Sequence, residues 1–301
     1  MGYKYSVIIP HKNSMPLLLR CVKSIPEHDD IEVLVIDDNS DVDQNEWNSF
    51  REEFSYVKLF LTKEGKGAGY ARNVGLKNAV GDWLIFADAD DFFYPKAFNI
   101  IKNYCEYHLF DIAYFCTNSR DGITNEIIRD RVPIINTSIH NKDIDSLRYC
   151  SYVPWGKVIN KQLIFEHNIK FEEIEVSNDI FFSMLVGFYA KKVELIDECL
   201  YCCTRNINSL VFHTSSVRTK VRIEAGIRVN RFLSENGLIK YRVKVPRRYY
   251  TFIPKDPDLF IWALKSGKYE GATLLYCKDV LRGFLSFIYS HLFQTLKKNK
   301  R

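Results

Sequence analysis

Short, mainly apolar runs recur along the first part of the chain, and polar residues follow them. Five of these runs predict strands: Ser6–Pro10, Ile31–Ile36, Val57–Leu61, Trp83–Ala87 and Asp111–Cys116. Because their apolar residues are largely continuous rather than alternating, the strands are expected to be buried on both faces of a parallel sheet. Segments with helical spacing, such as Pro16–Ser24, lie between the strands and predict crossover helices. The pattern therefore predicts an α/β fold, with a mostly parallel central sheet flanked by helices.

The pattern becomes less regular after the fifth strand. Arg120–Asn141 is polar and is predicted to be a variable loop region, whereas Lys161–His167 predicts a short helix. Ile174–Lys191 contains a strongly apolar helix that follows Ser177, Asn178 and Asp179. An Asn or Asp at such a place is by default a helix N-cap, so a catalytic role for it needs separate support.

The charge of the 301-residue chain is unevenly distributed. The formal net charge is +5, but residues 214–301 carry 19 Lys and Arg against 6 Asp and Glu, which leaves residues 1–213 net acidic. We therefore predict two parts: a domain at 1–213 that holds the chemistry, and a basic, mainly helical region at 214–301 that faces an anionic partner.

The end of the chain predicts an amphipathic helix at about 280–298. Leu281, Phe284, Leu285, Ile288, Leu292 and Leu296 share one helical face, and a basic tail follows them. This pattern fits a helix that lies in the interface of an anionic membrane. A terminal helix docked on the body and a homodimer contact are the alternatives. Nucleic acid is disfavoured because no recognised nucleic-acid module accompanies the charge.

Cysteine usage and the N-terminal sequence favour a cytoplasmic protein. Eight cysteines are scattered along the chain, and Cys199 and Cys202 form a lone C-x-x-C. Thiols on a buried strand explain this motif better than a zinc or redox site, because a second pair is missing. The first apolar run is too short for a secretory signal, and no run approaches the length of a membrane span. The expected location is therefore cytoplasmic, peripheral on the inner face of the cell membrane.

Acidic residues gather directly after two of the predicted strands. Asp88, Asp90 and Asp91 follow the fourth strand, and Asp37 and Asp38 end the second. Carboxylates this close repel one another unless a cation or hydrogen-bond donors neutralise them. Carboxyl ends of parallel strands share one sheet edge, where ligands bind in open α/β sheets. The residues thus suggest a divalent metal that carries a phosphorylated substrate, with a solvated acidic turn as the alternative.

A glycine-rich segment, Gly65–Asn73, precedes the fourth strand. Its glycines would let backbone amides approach a phosphate, and Arg72 supplies a bidentate donor. The spacing matches neither the dinucleotide fingerprint nor a Walker A loop. A flexible turn with an exposed arginine remains the alternative.

Several motifs occur together in the order found in one enzyme family. They are SVIIPHKN, VLVIDDNSDVD, GAGYARNVGLKNAVGDWLIFADADD, PWGKVINKQLIFEHNIKF, VSNDIFF and LYCCTRNINSL. This series resembles the inverting GT-A glycosyltransferases of family 2, a bacterial group that builds capsule, lipopolysaccharide and teichoic-acid sugars. The resemblance covers roughly residues 5–213 and implies the Rossmann-like GT-A fold.

The resemblance also implies roles for individual residues. Asp179 takes the place of the general base, while Asp90 and Asp88 take the D-x-D places that hold Mn²⁺ or Mg²⁺. Contacts to the nucleotide sugar or the acceptor are implied for Pro10, Lys12, Asn13, Asp38, Gly67, Arg72, Asp88, Ala89, Trp155, Lys157, Arg205 and His213. The chain departs from the family pattern at His11-Lys12, at Asn39, and at Asn178, where glutamate is usual.

The implied function is metal-dependent, inverting transfer of one sugar to a hydroxyl. The donor would be a nucleotide sugar, UDP-linked, and the acceptor a bacterial surface glycan or a lipid-linked molecule. The sequence lacks the Q-x-x-R-W motif of processive synthases. Two alternatives stay open: a non-catalytic nucleotide-sugar-binding partner of a transferase complex, suggested by Asn178, and a nucleotidyltransferase. The placement of the acids after the fourth strand disfavours the nucleotidyltransferase.

Overall fold

A computed structural model describes residues 2–128, 133–205 and 215–243, together with 256, 258, 259, 261, 262 and 265. The chain forms two compact units, Met1–Ser209 and Leu210–Arg301, and each is described by itself. The predicted boundary at residue 213 falls in a segment outside the described residues and stays a prediction. His213 and the predicted helix at about 280–298 also lie outside them.

The first unit alternates strands and helices. Its strands are β1 Tyr5–His11, β2 Ile31–Asp38, β3 Val57–Thr62, β4 Trp83–Phe86, β5 Phe92–Phe93, β6 Ile112–Asp121, β7 Ile127–Ile128, β8 Lys157–Asn160 and β9 Val193–Arg205. Its helices are α1 Met15–Lys23, α2 Gln44–Glu53, α3 Ala68–Asn78, α4 Ala97–Tyr107, α5 Pro133–His140, α6 Ile144–Cys150, α7 Lys161–Glu166 and α8 Ile180–Tyr189. All five predicted strands and the predicted helices of this unit are present, shifted by a residue or two in most cases.

Within the described residues the strands form one sheet, in the order β3-β2-β1-β4-β8-β6-β9-β5, with β7 beside β6. The long ladders that join β1 to β2 and β4, β2 to β3, and β6 to β9 are parallel. The shorter ladders of β8, β5 and β7 are antiparallel. After β1, the next two strands, β2 and β3, are added on one side of β1, and β4 is added on the other side of β1. The carboxyl ends around this switch point are where open α/β sheets bind ligands.

The core lies on both faces of the sheet. β1, β2 and β4 are buried along their whole length, as their continuous apolar sequences predict. On α1, Leu18, Cys21 and Val22 pack inward, while Lys23 at its end is exposed. On α3, Gly75 packs against β1 so closely that a Cβ would come within 2.4 Å of Ile8.

Two sequence predictions are corrected. β3 is half-buried rather than buried, and Leu61 is exposed, because this strand forms an edge of the sheet. Arg120–Asn141 is more than a loop, since it contains the end of β6, the short strand β7 and helix α5. Ile135 and Ile139, one helical turn apart in α5, are buried, and this spacing was the signal for the helix.

The described part of the second unit consists mainly of one helix. α9, Ser216–Glu235, lies in the region predicted to be basic and mainly helical, and a 3-10 helix follows it at Ile239–Tyr241. Asn230 of α9 binds the segment after this 3-10 helix. Its side chain accepts a hydrogen bond from the backbone N–H of Val243 at 2.6 Å and donates one to the Val243 carbonyl at 3.0 Å. In the part of the chain that the structure describes, no helix is both long and apolar enough to cross a bilayer.

Candidate functional site

The two aspartates at the carboxyl end of β2 have different surroundings. Asp37 accepts hydrogen bonds from His11 at 2.8 Å and from the backbone of Ser40 at 2.9 Å. Burial opposes ionisation of Asp37, but these hydrogen bonds outweigh it and lower its pKa. Asp38 is also buried, and its Oδ2 accepts the backbone N–H of Gly67 at 2.8 Å. Its Oδ1 has no hydrogen-bond partner among the described residues, which leaves it able to accept a donor from a ligand.

The loops beside Asp38 carry the other candidates for nucleotide contact. Pro10, buried near the end of β1, pairs with β2, and the exposed Lys12 places Nζ 3.5 Å from Asp38 Oδ2. Asn13 has a φ of 52° and joins the two loops, since it donates to Ser40 at 2.8 Å and accepts from Asp41 at 2.7 Å. These bonds join the two loops beside Asp38.

Gly67 begins α3 in a conformation that favours glycine. Its φ is 91°, a left-handed value that costs other residues free energy, and nothing lies within 4 Å of where its Cβ would be. The backbone amide at this helix start points to Asp38. The glycine-rich segment is therefore a defined turn of the site.

The turn after β4 gathers three carboxylates. One oxygen each of Asp88, Asp90 and Asp91 lies within 4.8 Å of the others. Asp91 is buried, and its carboxylate accepts from the hydroxyl of Tyr201 at 2.7 Å and the backbone of Thr204 at 2.6 Å. Burial, followed by the charges of Asp90 and Asp88, raises the pKa of Asp91 well above its usual value. The carboxylates thus repel one another, as the sequence suggested.

Residues of β9 and α1 hold this turn in place. The Tyr201 hydroxyl accepts the backbone N–H of Asp88 at 3.0 Å, and Arg20 of α1 donates to the backbone carbonyl of Asp90. Ala89 is buried between the two acids. Because the carboxylate of Asp91 is hydrogen-bonded to residues of β9, Asp88 and Asp90 are the carboxylates of this turn that could bind a cation. An all-oxygen set of this kind suits Mg²⁺ or Mn²⁺.

Arg72 connects the aspartate turn to the segment before α8. Its guanidinium is buried and donates to Asp88 at 2.6 Å and to the side chain of Asn178 at 2.9 Å. The same group lies over the ring of Phe171, 5.4 Å from its centroid. Arg72 thus brings together residues that are 16 and 106 positions away in sequence. The alternative of a flexible turn with an exposed arginine is wrong.

Asp179 occupies the N-cap position of α8, yet its side chain makes no capping hydrogen bond. Its environment instead raises its pKa: burial is the largest cause, the positive charge of Arg72 opposes the shift, and Asp88 adds to it. Asp179 is thus a half-buried carboxylate with a raised pKa beside the acidic turn, and its role as the general base stays a prediction.

Gly69 allows the segment before Asp179 to pack directly on α3. A Cβ on Gly69 would lie 2.1 Å from the carbonyl oxygen of Glu172 and 2.9 Å from Cβ of Asn178. Any side chain there would push this segment outward. This role of Gly69, like that of Tyr201, is not among those predicted from the sequence, although both residues lie within the motifs that carry the resemblance.

Lys157 and Trp155 are more buried than residues that only line a substrate cleft. Lys157 is 1% exposed and donates to the carbonyl oxygens of Ser151, at 2.9 Å, and Val153. Burial lowers its pKa to about 7, against the opposing effect of Asp179. Trp155 stacks on Tyr201 with a centroid distance of 5.7 Å. Trp155 therefore packs on a residue that holds the aspartate turn, and Lys157 is bonded to the backbone of the segment before β8; their contacts with a sugar or an acceptor stay a prediction.

Arg205 ends β9 and forms an ion pair of 2.9 Å with Asp121. Hydrogen bonds from Arg205 and from the backbone of Thr124 and Ile123 lower the pKa of Asp121 to about 2. This ion pair joins the end of β9 to the end of β6.

Comparison with known proteins agrees with this geometry. The sequence pattern of glycosyl transferase family 2 matches residues 6–162, more than half of the chain. The chain belongs to glycosyl transferase family 2. The matched region contains Asp38, Arg72 and the aspartate turn, and ends before Asp179.

Curated relatives include several bacterial glycosyltransferases. The chain is 24% identical over 67% of its length to the poly(ribitol-phosphate) beta-N-acetylglucosaminyltransferase TarS of Staphylococcus aureus. It is 26% identical over 69% of its length to a cholesterol galactosyltransferase of Borreliella burgdorferi. The match covers less than two thirds of each relative: 36% of TarS and 62% of the galactosyltransferase.

The fold prediction is confirmed by a solved structure. The crystal structure of residues 1–349 of S. aureus TarS in complex with UDP-GlcNAc superposes with a TM-score of 0.61, covering 95% of this chain and 80% of that one. At 18% sequence identity this similarity concerns the fold alone. The chain has the mixed α/β GT-A fold, with a mostly parallel sheet flanked by helices.

Proposed function

We propose that this protein is a metal-dependent, inverting glycosyltransferase that moves one sugar from a UDP-linked donor to a hydroxyl. The observation that carries the proposal is the bridge from Asp88 through Arg72 to Asn178, next to Asp179. It joins the candidate metal turn to the candidate base, although the two lie far apart in sequence. Both groups are needed for one displacement at an anomeric carbon.

The donor would bind along the carboxyl ends of β2 and β4. Asp38 offers Oδ1, a buried acceptor without a partner among the described residues, to a ring N–H of the base, and Lys12 beside it supplies positive charge. The contact of Asp38 with Gly67 fixes the start of α3, where backbone amides favour an anion. The ligands of the TarS crystal structures, UDP-GlcNAc and UDP, support a UDP-linked donor.

Asp88 and Asp90 would hold the divalent cation. Their donor set fits, because carboxylate oxygens are the ligands of Mg²⁺ and Mn²⁺ and their mutual repulsion favours a bound cation. When bound, the cation stabilises the negative charge that develops on the departing diphosphate.

Asp179 would take the proton of the acceptor hydroxyl. As that proton moves to the carboxylate, the acceptor oxygen forms a bond to the anomeric carbon, and the bond from that carbon to the phosphate oxygen breaks. The nucleoside diphosphate leaves with the electron pair. A single attack from the face opposite the leaving group inverts the configuration, and no second carboxylate nucleophile is required.

The test is a panel of nucleotide sugars assayed for diphosphate release with Mn²⁺ or Mg²⁺. We expect one UDP-sugar to be hydrolysed slowly without acceptor and faster with a hydroxyl acceptor, in both cases only with the metal. Tight donor binding without turnover, with every acceptor tried, would instead favour the non-catalytic binding partner. Turnover of a nucleoside triphosphate with pyrophosphate release would favour the nucleotidyltransferase.

The acceptor we propose is a bacterial surface glycan or a lipid-linked molecule at the inner face of the cell membrane. The names of the relatives support this class, since one acts on poly(ribitol phosphate) and another on cholesterol. The basic balance of residues 214–301 supports a location at an anionic surface.

Deleting Phe284–Arg301 is expected to move the full-length protein from anionic vesicles to the supernatant in a flotation assay. The apolar face and the basic tail of this segment would both be lost, and each basic residue contributes about 1 kcal/mol near such a surface. Replacing only Lys297, Lys298, Lys300 and Arg301 by glutamine should weaken flotation on anionic but not on neutral vesicles. Unchanged flotation of the deletion variant would contradict membrane binding by this helix.

A further inference from the structure

A second cluster of metal-ligating side chains lies at the junction of β6, α5 and β9. Cys116 Sγ is 3.4 Å from Asp197 Oδ1, and His140 Nδ1 is 2.8 Å from the same oxygen. All three ligand atoms lie within 4.8 Å of one another. Unlike the aspartate turn, this cluster combines a thiol, an imidazole and a carboxylate.

An irregularity in the sheet places Asp197 in this cluster. β6 and β9 run parallel, with Phe115 paired to Ile196, but the next residue, Cys116, pairs with Cys199. The skipped residues of β9 form a bulge, and a bulge redirects the side chains it contains. Asp197 therefore reaches Cys116 across the strands.

A separate contact places His140. Asn136 of α5 forms two hydrogen bonds with the backbone of Thr117, donating at 2.7 Å and accepting at 2.9 Å. This pair fixes α5 on β6 one residue beyond Cys116. His140 is one helical turn further along α5 and is its last residue, so its ring lies beside the bulge.

The spacing of the three ligand atoms is close to that of a zinc site. Ligands at 2.0–2.3 Å from zinc in a tetrahedral arrangement are about 3.3–3.7 Å apart. The distance from Cys116 to Asp197 is already in this range, and the distance from His140 to Asp197 would lengthen by about 0.5 Å. The side chains of His140 and Asp197 are 59% and 63% exposed, so they have room to adjust around the buried thiol.

We propose that Cys116, His140 and Asp197 bind a zinc ion that fastens the end of α5 to β6 and β9. Thiolate and imidazole ligands favour zinc, whereas Mg²⁺ and Mn²⁺ prefer oxygen ligands only. The site is thus separate in chemistry from the aspartate turn. It also differs from the C-x-x-C pair that the sequence offered, since it draws on three elements far apart along the chain.

Zinc binding to the full-length protein tests the proposal without using activity. After metal removal by a chelator and dialysis against zinc, we expect about one tightly held zinc per chain by elemental analysis. His140→Ala, at an exposed position, should keep the fold and lower zinc affinity at least about tenfold. The matched control is His108→Ala, because His108 also pairs with an acid, Glu194, at 3.5 Å. That control should bind zinc as the unmodified protein does.

Two further measurements separate this site from the aspartate turn. Cobalt substitution should give a thiolate-to-cobalt charge-transfer band, which Cys116→Ser removes. Asp90→Asn should retain the zinc. The proposal is overturned if the unmodified protein holds no zinc after dialysis, if His140→Ala binds zinc as tightly, or if Asp90→Asn rather than His140→Ala releases it.

Discussion

Replacing Asp179 by asparagine is expected to lower the rate of sugar transfer by about 10²–10⁴-fold, the usual contribution of a general base. The amide keeps the shape of the side chain but cannot take the proton of the acceptor hydroxyl. Because the carboxylate makes no capping hydrogen bond, α8 should fold as before. Single-turnover transfer measures the loss, and calorimetric titration with UDP should give an unchanged affinity.

A matched variant separates the loss of the base from the loss of negative charge. Glu173→Gln removes an exposed carboxylate from the same segment, where it accepts a 3.2 Å hydrogen bond from Asn73. This variant should transfer sugar at the parental rate. If Asp179→Asn also transfers at the parental rate, Asp179 is not the base.

The raised pKa of Asp179 gives the pH dependence of transfer a definite direction. The base acts in its ionised form, so activity should fall as the pH drops through its pKa. Burial raises that pKa above the ordinary value of 3.8, and the loss should therefore begin at a higher pH than for an exposed aspartate. A profile of kcat/KM against pH reports this pKa in the free enzyme. An acid limb at the ordinary aspartate value would contradict the assigned environment.

The asparagine at position 178 is compatible with this base. A glutamate there would place a second negative charge next to Asp179 and raise its pKa further. Asn178 instead accepts a hydrogen bond from Arg72 at 2.9 Å as a neutral group. The hydrogen bond from Arg72 therefore holds the segment before α8 in place, and the negative charge of a glutamate is not added. The departure from the family pattern thus changes the charge near the base but not the link to α3.

The strands could be predicted because a strand buried on both faces has a recognisable, mainly apolar sequence. A strand covered on both faces is apolar at most of its positions, as β1, β2 and β4 are. β3 was predicted as buried because its apolar content is similar, and only the strand order places it at an edge. Helix α5 was missed because two buried isoleucines in a polar segment are a weak signal.

The site could be predicted in its residue types but not in its contacts. The acids after β2 and β4 were expected at one sheet edge, since parallel strands place their carboxyl ends together. That Arg72 is buried between Asp88 and Asn178 depends on a contact over 106 positions, which periodicity does not encode. The close approach at Gly69 and the support from Tyr201 likewise appear only when the sheet is assembled.

Replacing Asp90 by asparagine is expected to lower metal-dependent transfer by about 10³-fold, or about 4 kcal/mol of transition-state stabilisation. Asp90 lies on the turn that gathers the carboxylates, and its loss leaves Asp88, already paired with Arg72, as the main remaining ligand. The free Mn²⁺ signal in electron paramagnetic resonance gives a readout apart from activity. Addition of the protein with UDP should reduce that signal, and the variant should reduce it much less.

Asp91→Asn provides the contrast, because its carboxylate accepts bonds from Tyr201 and the backbone of Thr204. An amide would still accept one bond but not both in the same geometry, so this variant should lower the melting temperature more than it lowers Mn²⁺ affinity. Asp90→Asn should do the opposite, since what it removes is charge next to the cation. Equal Mn²⁺ affinity in Asp90→Asn and the parent would place the cation elsewhere, and the acidic turn would then serve only to shape the end of β4.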